Sequence, residues 1–280
     1  MKRFNKIAII GVGLIGGSIG LAIKNKRLAK TVVGICRRKV SAKAALKAKA
    51  VDIATLSYKK GLKNTDLVII AAPVGRIVEI AEKVAKSSDG SLILTDVGST
   101  KEKIVSHLER SMPNHIEFVG AHPMAGSEKS GVSAASKNLF KNSICIITKT
   151  KKTDEKAFNE VKTFWKKLGT SCKILSPKDH DDFISFVSHL PHVAAIALTN
   201  AANPGSLEFA STGFKDTTRI ASSNPNLWHD IFIANKDALL RALSDYRAAL
   251  EGIERSIKTG NTTALIDLLK RAKTIRDSLN

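Results

Sequence analysis

The chain has 280 residues, a 43% hydrophobic share and a formal net charge of +20. That length allows one or two soluble domains with an ordinary core. No uninterrupted apolar run reaches the roughly 18 residues a membrane span needs, and no signal peptide is read at the start. So large a positive charge invites nucleic acid, but aromatics are only 5% and the lysines are scattered, so neither nucleic acid nor membrane is expected as a partner. Cys36, Cys145 and Cys172 have no short spacing, fit neither a disulfide framework nor a zinc site, and point to a reducing cytoplasm.

Residues 7–10 are a continuous apolar run, suited to a strand buried on both faces of a parallel sheet. Gly11, Gly13 and Gly16 follow at the G-x-G-x-x-G spacing, and residues 14–26 read as a helix. Gly11 permits the tight turn, Gly13 lets the backbone approach a pyrophosphate, and Gly16 lets the helix pack on the sheet. With Leu14 and Ile15 they bring free N–H groups at the helix start to an anion. The strand before and helix after make this a dinucleotide site rather than a bare glycine turn. After the second strand, 31–36, stand Arg37 and Arg38, where an NAD-binding turn carries an acid. A guanidinium pairs with a 2′-phosphate that an acid would repel, so NADP is expected over NAD. The alternative is that these arginines begin a solvated helix.

A helix over 41–50, a strand over 66–73, a helix over 74–86, a strand over 91–97 and a helix over 100–111 continue the alternation. That pattern predicts an α/β fold, a doubly wound Rossmann-type sheet. Ligands on such sheets lie at the carboxyl ends of strands, which singles out Pro73, Ser99 and His122. Ser99 also opens an S-x-x-E capping box with Glu102, so a cap is an open alternative. His122, after a strand over 117–121, is by position either a structural or a catalytic histidine. Strands over 143–148 and 170–175, around a helix over 154–168, are expected to extend the sheet to seven or eight strands.

At Ser176-Pro177 the composition changes, and the boundary is placed there: residues 1–175 as an NADP-binding domain, 176–280 as a helical domain. A long helix is expected over 178–203, kinked at Pro191. His189 and His192 lie three apart on it, but no third ligand is recognisable, so no metal is expected. A second long helix is expected over 226–258 and a last one over 261–279. Leu239, Leu243, Tyr246, Leu250, Ile253 and Ile257 form an a/d seam, open to an intramolecular bundle or a shared two-chain core. A homodimer through these C-terminal helices is expected.

Together the segments Gly11-Val-Gly-Leu-Ile-Gly-Gly-Ser, Asp96-Val-Gly-Ser-Thr-Lys101, His122-Pro-Met-Ala-Gly-Ser-Glu128, Val187-Ser-His-Leu-Pro-His192 and Gly213-Phe-Lys-Asp-Thr-Thr-Arg219 resemble the prephenate/arogenate dehydrogenase family of tyrosine biosynthesis. The resemblance spans essentially the whole chain. It implies a nucleotide-binding domain followed by an all-helical dimerisation domain, and oxidative decarboxylation of a cyclohexadienyl substrate. It also implies that His122 is the base or hydrogen-bond acceptor for the ring hydroxyl, and that Ser99 holds the hydroxyl or His122 in register. Arg219 would bind a substrate carboxylate, and His192 would contact the side chain or hydroxyl region. Glu128 would be a gate or supporting partner, and Trp228 would pack near the mouth of the site. The basic Arg37-Arg38 and the lack of an attached regulatory or mutase domain lean toward an NADP-using arogenate dehydrogenase over prephenate. Rival readings are a β-hydroxyacid dehydrogenase, which would be expected to use a lysine on the first all-α helix, and a non-catalytic NADP sensor.

Overall fold

A computed structural model describes residues 3–126 and 129–279. The first part alternates β1 (Phe4–Ile10), α1 (Leu14–Asn25), β2 (Ala29–Ile35), α2 (Lys39–Lys47), β3 (Ile53–Thr55), α3 (Tyr58–Leu62), β4 (Leu67–Ile70), α4 (Ile77–Ser87), β5 (Leu92–Asp96), α5 (Glu102–Ser111) and β6 (Ile116–Val119). The six strands are parallel in the order β3-β2-β1-β4-β5-β6. Ile7, Ile9, Leu67 and Ile69 enter one core layer, while Ala8, Ile10, Val68 and Ile70 enter the other. The alternation explains why these strands are apolar throughout: each successive side chain meets helices on one face or the other. Because the strands run the same way, their carboxyl ends share one edge. The winding reverses between β1 and β4, and a crevice opens there. β3 and α3, three and five residues long, are too short to show a hydrophobic period and escaped the sequence reading.

The sheet does not grow to seven or eight strands. After β6 the chain turns at Gly120, and β7 (Ala121–Pro123), β8 (Ile144–Thr148) and β9 (Ser171–Leu175) form a separate three-stranded sheet. β7 pairs antiparallel with β8, and β8 parallel with β9. A Cβ on Gly120 would crowd the Thr148 hydroxyl, so the close approach that starts the second sheet depends on glycine. Hydrophobic period identifies strands but not their partners, which is why the two sheets were merged. α6 (Glu155–Leu168) is N-capped by Asp154, which accepts from Ala157 N–H at 2.7 Å, and packs Phe158, Phe164 and Trp165 under the first core layer.

Beyond β9 no strand occurs among the described residues. α7 (Pro177–Ile184) is capped by Ser176, a π-turn spans Ser185–His189, and α8 (Leu190–Ala201) follows. The disturbance expected at Pro191 is realised one turn earlier: the wider π-turn accommodates a residue that has no N–H to give. The run Pro177–Ala201 is long and apolar enough, by length and composition, to cross a membrane, although no uninterrupted apolar run revealed it. Its polar members His180, Asp181, Ser185 and His189 are buried. α9 (Thr212–Thr218), α10 (Pro225–Ala234), α11 (Lys236–Lys258) and α12 (Thr262–Asp277) complete the helical part. The single helix expected over 226–258 is therefore two, broken at Asn235. In the a/d seam Leu239 is buried, whereas Leu250, Ile253 and Ile257 are exposed, so the chain covers only one end of it.

Candidate active site

The glycine turn leaves β1 at the carboxyl edge. Gly11 has φ +91°, and a Cβ there would run into the Ala71 carbonyl oxygen; a Cβ on Gly16 would run into the Gly11 carbonyl oxygen. Gly13, between them, faces open space. α1 begins with no acidic residue in its first turn and no side-chain cap, so its amide donors have no side chain of their own to satisfy them. Leu14 and Ile15 are half-buried, while Arg37, Arg38 and Pro73 are exposed just beyond β2 and β4. This cradle suits the diphosphate of a dinucleotide: close backbone approach, helix donors and no competing anion.

At the carboxyl ends of β5 and β6 a charged cluster is sealed from water. Lys101 pairs with Asp96, and both side chains are fully buried. Asp96 also accepts the Gly98 N–H at 2.8 Å and the Ala121 N–H at 3.4 Å, tying the β5 turn to β7. β7 buries His122, whose Nδ1 lies 2.9 Å from Nε2 of His180 on α7. His180 Nδ1 lies 2.7 Å from Asp181 Oδ1. The same carboxylate accepts the backbone N–H of Lys101 at 2.7 Å and of Glu102 at 2.9 Å. Asp181, from the helical part, thus caps α5 of the first part. Ser99 is not the cap: it lies half-buried ahead of the helix, Lys101 occupies the N-cap position, and no local side chain bonds there. The capping-box expectation failed because a distant carboxylate took the orphan amides.

Asn235 ties the next layer. Its amide Nδ2 donates to the Asp181 carbonyl at 2.8 Å, which fixes the amide orientation, and its second hydrogen meets His189 Nδ1 at 3.1 Å. His189 therefore accepts at Nδ1 and carries its proton on Nε2, a buried atom without a partner among the described residues. His189 stands edge-on to Trp228, ring centroids 6.1 Å apart, and His192 stacks against Trp228 with 24° between planes. His192 Nδ1 donates to the Ser188 carbonyl at 3.0 Å, leaving Nε2 as an acceptor. Burial lowers the His192 pKa, and the nearby Arg219 charge lowers it further. No group of three metal-ligating side chains occurs among the described residues, and His189 and His192 turn to different partners.

Burial, then the neighbouring His180, Lys101 and His189, pushes the His122 pKa well below 6.5. Burial, Lys101 and His189 push His180 down to about 2, and burial is the main cause that brings His189 to about 4. All three imidazoles are neutral at pH 7 and can accept or donate without carrying charge.

A family model described as the prephenate dehydrogenase nucleotide-binding domain matches residues 19–174, and one described as the prephenate dehydrogenase dimerization domain matches residues 176–271. The chain belongs to the prephenate dehydrogenase family. It is 39% identical to a prephenate dehydrogenase of Bacillus subtilis over 98% of this chain and 76% of that one. A crystal structure of prephenate dehydrogenase from A. aeolicus, in complex with hydroxyphenyl propionate and NAD+, superposes with a TM-score of 0.93 at 33% identity, covering 100% of this chain and 99% of that one. A Synechocystis arogenate dehydrogenase superposes with a TM-score of 0.84 at 29% identity, over 98% of this chain and 100% of that one. Family membership makes the chain an oxidoreductase with a nicotinamide-type cofactor site and displaces the hydroxyacid dehydrogenase reading.

Of the residues singled out from sequence, His192 lies on Trp228 with the Arg219 charge nearby, His122 meets His180 at the carboxyl edge, and Ser99 is half-buried between β5 and α5. Glu128 lies outside the described residues. Sequence reading gave no role to Asp96, Lys101, His180, Asp181, His189 or Asn235. One signal was available: a buried strand ending in Asp96, with Lys101 five residues on, places two charges where neither would survive alone.

Proposed function

We propose that the protein catalyses NADP-dependent oxidative decarboxylation of a cyclohexadienyl substrate, arogenate ahead of prephenate, as a homodimer. Residues 1–175 bind the cofactor, and 176–280 supply the substrate and dimer surfaces. The observation that carries this reading is a buried, neutral histidine at the cofactor edge, held by a partner from the helical part. His122 accepts the ring hydroxyl proton on Nε2, the nitrogen not engaged by His180. The glycine cradle would hold a nicotinamide dinucleotide, which would supply the acceptor for the hydride of the carbon bearing that hydroxyl. The ring carboxylate departs as carbon dioxide, and its bonding electrons enter the ring as it aromatises.

Ser99 steadies the hydroxyl or His122, while Arg219 anchors a substrate carboxylate as a bidentate partner. His192 contacts the side chain or hydroxyl region through Nε2, Trp228 walls the site, and Glu128 is a gate or a supporting partner. Gly11, Gly13, Leu14, Ile15, Gly16 and Pro73 shape the cofactor cradle. The preference for NADP rests on Arg37 and Arg38, exposed where a 2′-phosphate would sit. The arogenate preference rests on the likeness to compact NADP-using members.

Steady-state turnover with all four pairings of NAD+ or NADP+ with prephenate or arogenate tests both preferences. NADP+ and arogenate are expected to give the higher kcat/KM. NAD+ favoured tenfold or more would overturn the cofactor assignment, and prephenate favoured tenfold would overturn the substrate assignment.

A further inference from the structure

We propose that His180 and Asp181 are positioning residues that set the tautomer of His122, leaving its Nε2 bare toward the substrate hydroxyl; this rests on the reaction proposed above. Each contact from α5 through Asp181 and His180 to His122 holds one proton, and its donor is fixed in turn. Asp181 offers Oδ1 to the Lys101 N–H and Oδ2 to the Glu102 N–H, so both oxygens accept from a helix N-terminus, where a negative charge is stabilised. Burial raises the Asp181 pKa and the two amides and the Lys101 charge oppose that rise; with both oxygens accepting, the carboxyl group has no proton to give. On its 2.7 Å contact with His180, the donor must be His180 Nδ1–H. His180 is neutral and fully buried, so it has one ring proton, and that proton is now spent on Asp181. Its Nε2 must accept. On the 2.9 Å contact between the rings, the donor must be His122 Nδ1–H. A neutral His122 with its proton on Nδ1 has a lone pair on Nε2.

Had the chain been wired the other way, His122 would meet the substrate with an N–H where a base is needed. During turnover the substrate proton arrives on Nε2. The resulting imidazolium keeps its Nδ1–H bond to His180, and the Asp181 charge lies one ring beyond. No proton need pass to Asp181 for this stabilisation. A carboxylate that orients a catalytic histidine in a hydrolase triad works the same way, and the wrong tautomer there costs about 10⁴ in kcat. Here an extra imidazole separates the two, and the whole relay comes from α7. The base on β7 is therefore aligned only when the helical part is docked.

The test uses the full chain labelled with ¹⁵N-histidine, His122 being assigned by its loss in His122→Asn. In the wild type at neutral pH, His122 is expected to show a protonated Nδ1 and an unprotonated Nε2. His180→Leu keeps bulk but removes the acceptor. It should shift His122 toward the other tautomer and lower kcat by about 10²–10³, with KM for cofactor and substrate within about threefold. His180→Gln offers a carbonyl oxygen in place of the imidazole nitrogen and should hold kcat within about tenfold of wild type. If His180 only filled space, Leu would be tolerated better than Gln. Asp181→Asn should mimic His180→Leu; should it fail to fold for want of its helix cap, the His180 pair decides alone. A wild-type His122 protonated on Nε2 would overturn the proposal, as would a His180→Leu variant with unchanged tautomer and kcat. A wild type with the expected tautomer but no turnover of either cyclohexadienyl substrate supports the alignment and overturns the reaction.

Discussion

Three groups bear on the charge of His122: His180 from α7, Lys101 from the β5–α5 turn and His189 from the π-turn. Asp96 at the end of β5 pairs with Lys101, Asp181 bonds His180, and the Cys145 thiol on β8 meets the His122 backbone. Burial comes first, and the cation Lys101 adds to it, so protonation of His122 is disfavoured relative to a free imidazole. The sign of the pH dependence follows. The base works as the neutral form, activity is lost as pH falls through its pKa, and that pKa lies well below 6.5. His180 at about 2 and His189 at about 4 also stay neutral as pH falls through 6.5. A plot of log kcat/KM from about pH 8 to about pH 5 should stay flat through 6.5, with the acid limb appearing below it. A limb centred at or above 6.5 would mean that His122 is solvated or is not the base.

At the scale of elements, the break between α10 and α11 shows what was and was not legible. The apolar pattern over 226–258 is continuous, so one helix was the natural reading. The helix stops at Asn235 because that residue leaves helical geometry, at φ −108° and ψ 32°, to bond Asp181 and His189. Periodicity cannot register a residue diverted by a partner 54 positions away. The Ser99 cap, an open alternative, fails for the same reason, its place taken by Asp181, whereas the helix starts near 154 and 178 rest on neighbours and were legible to within a residue. The glycine turn and the longer strands are local and were legible; β3 and the division into two sheets were not. The relay behind His122 depends on chain segments meeting and was not. Asn235→Ala leaves the Asp181 carbonyl and His189 Nδ1 without their donor, and the variant is expected to lose about 1–3 kcal/mol in denaturant unfolding. A loss under about 0.5 kcal/mol would show that the break is not held by these bonds.

Over the whole molecule, the helical part closes on the carboxyl edge through apolar packing and polar ties. Ile231 of α10 joins the core layer that contains Val74 and Ile77, Asp181 caps α5, and His180 bonds His122. It leaves the far end of α11 uncovered at Leu250, Ile253 and Ile257, and α12 buries none of its residues. An apolar seam of that length in water calls for a second copy. The wild type is expected to sediment as a dimer at micromolar concentration and Ile253→Glu as a monomer; a monomeric wild type would contradict the shared core. The most direct test of the base at the domain junction is NADP+ reduction by wild type and His122→Asn, with prephenate and with arogenate. The expected result is turnover of at least one substrate by the wild type, with kcat about 10²–10⁴-fold lower in the variant and cofactor affinity unchanged. Equal kcat in the two proteins, or no reduction by the wild type with either substrate, would contradict it.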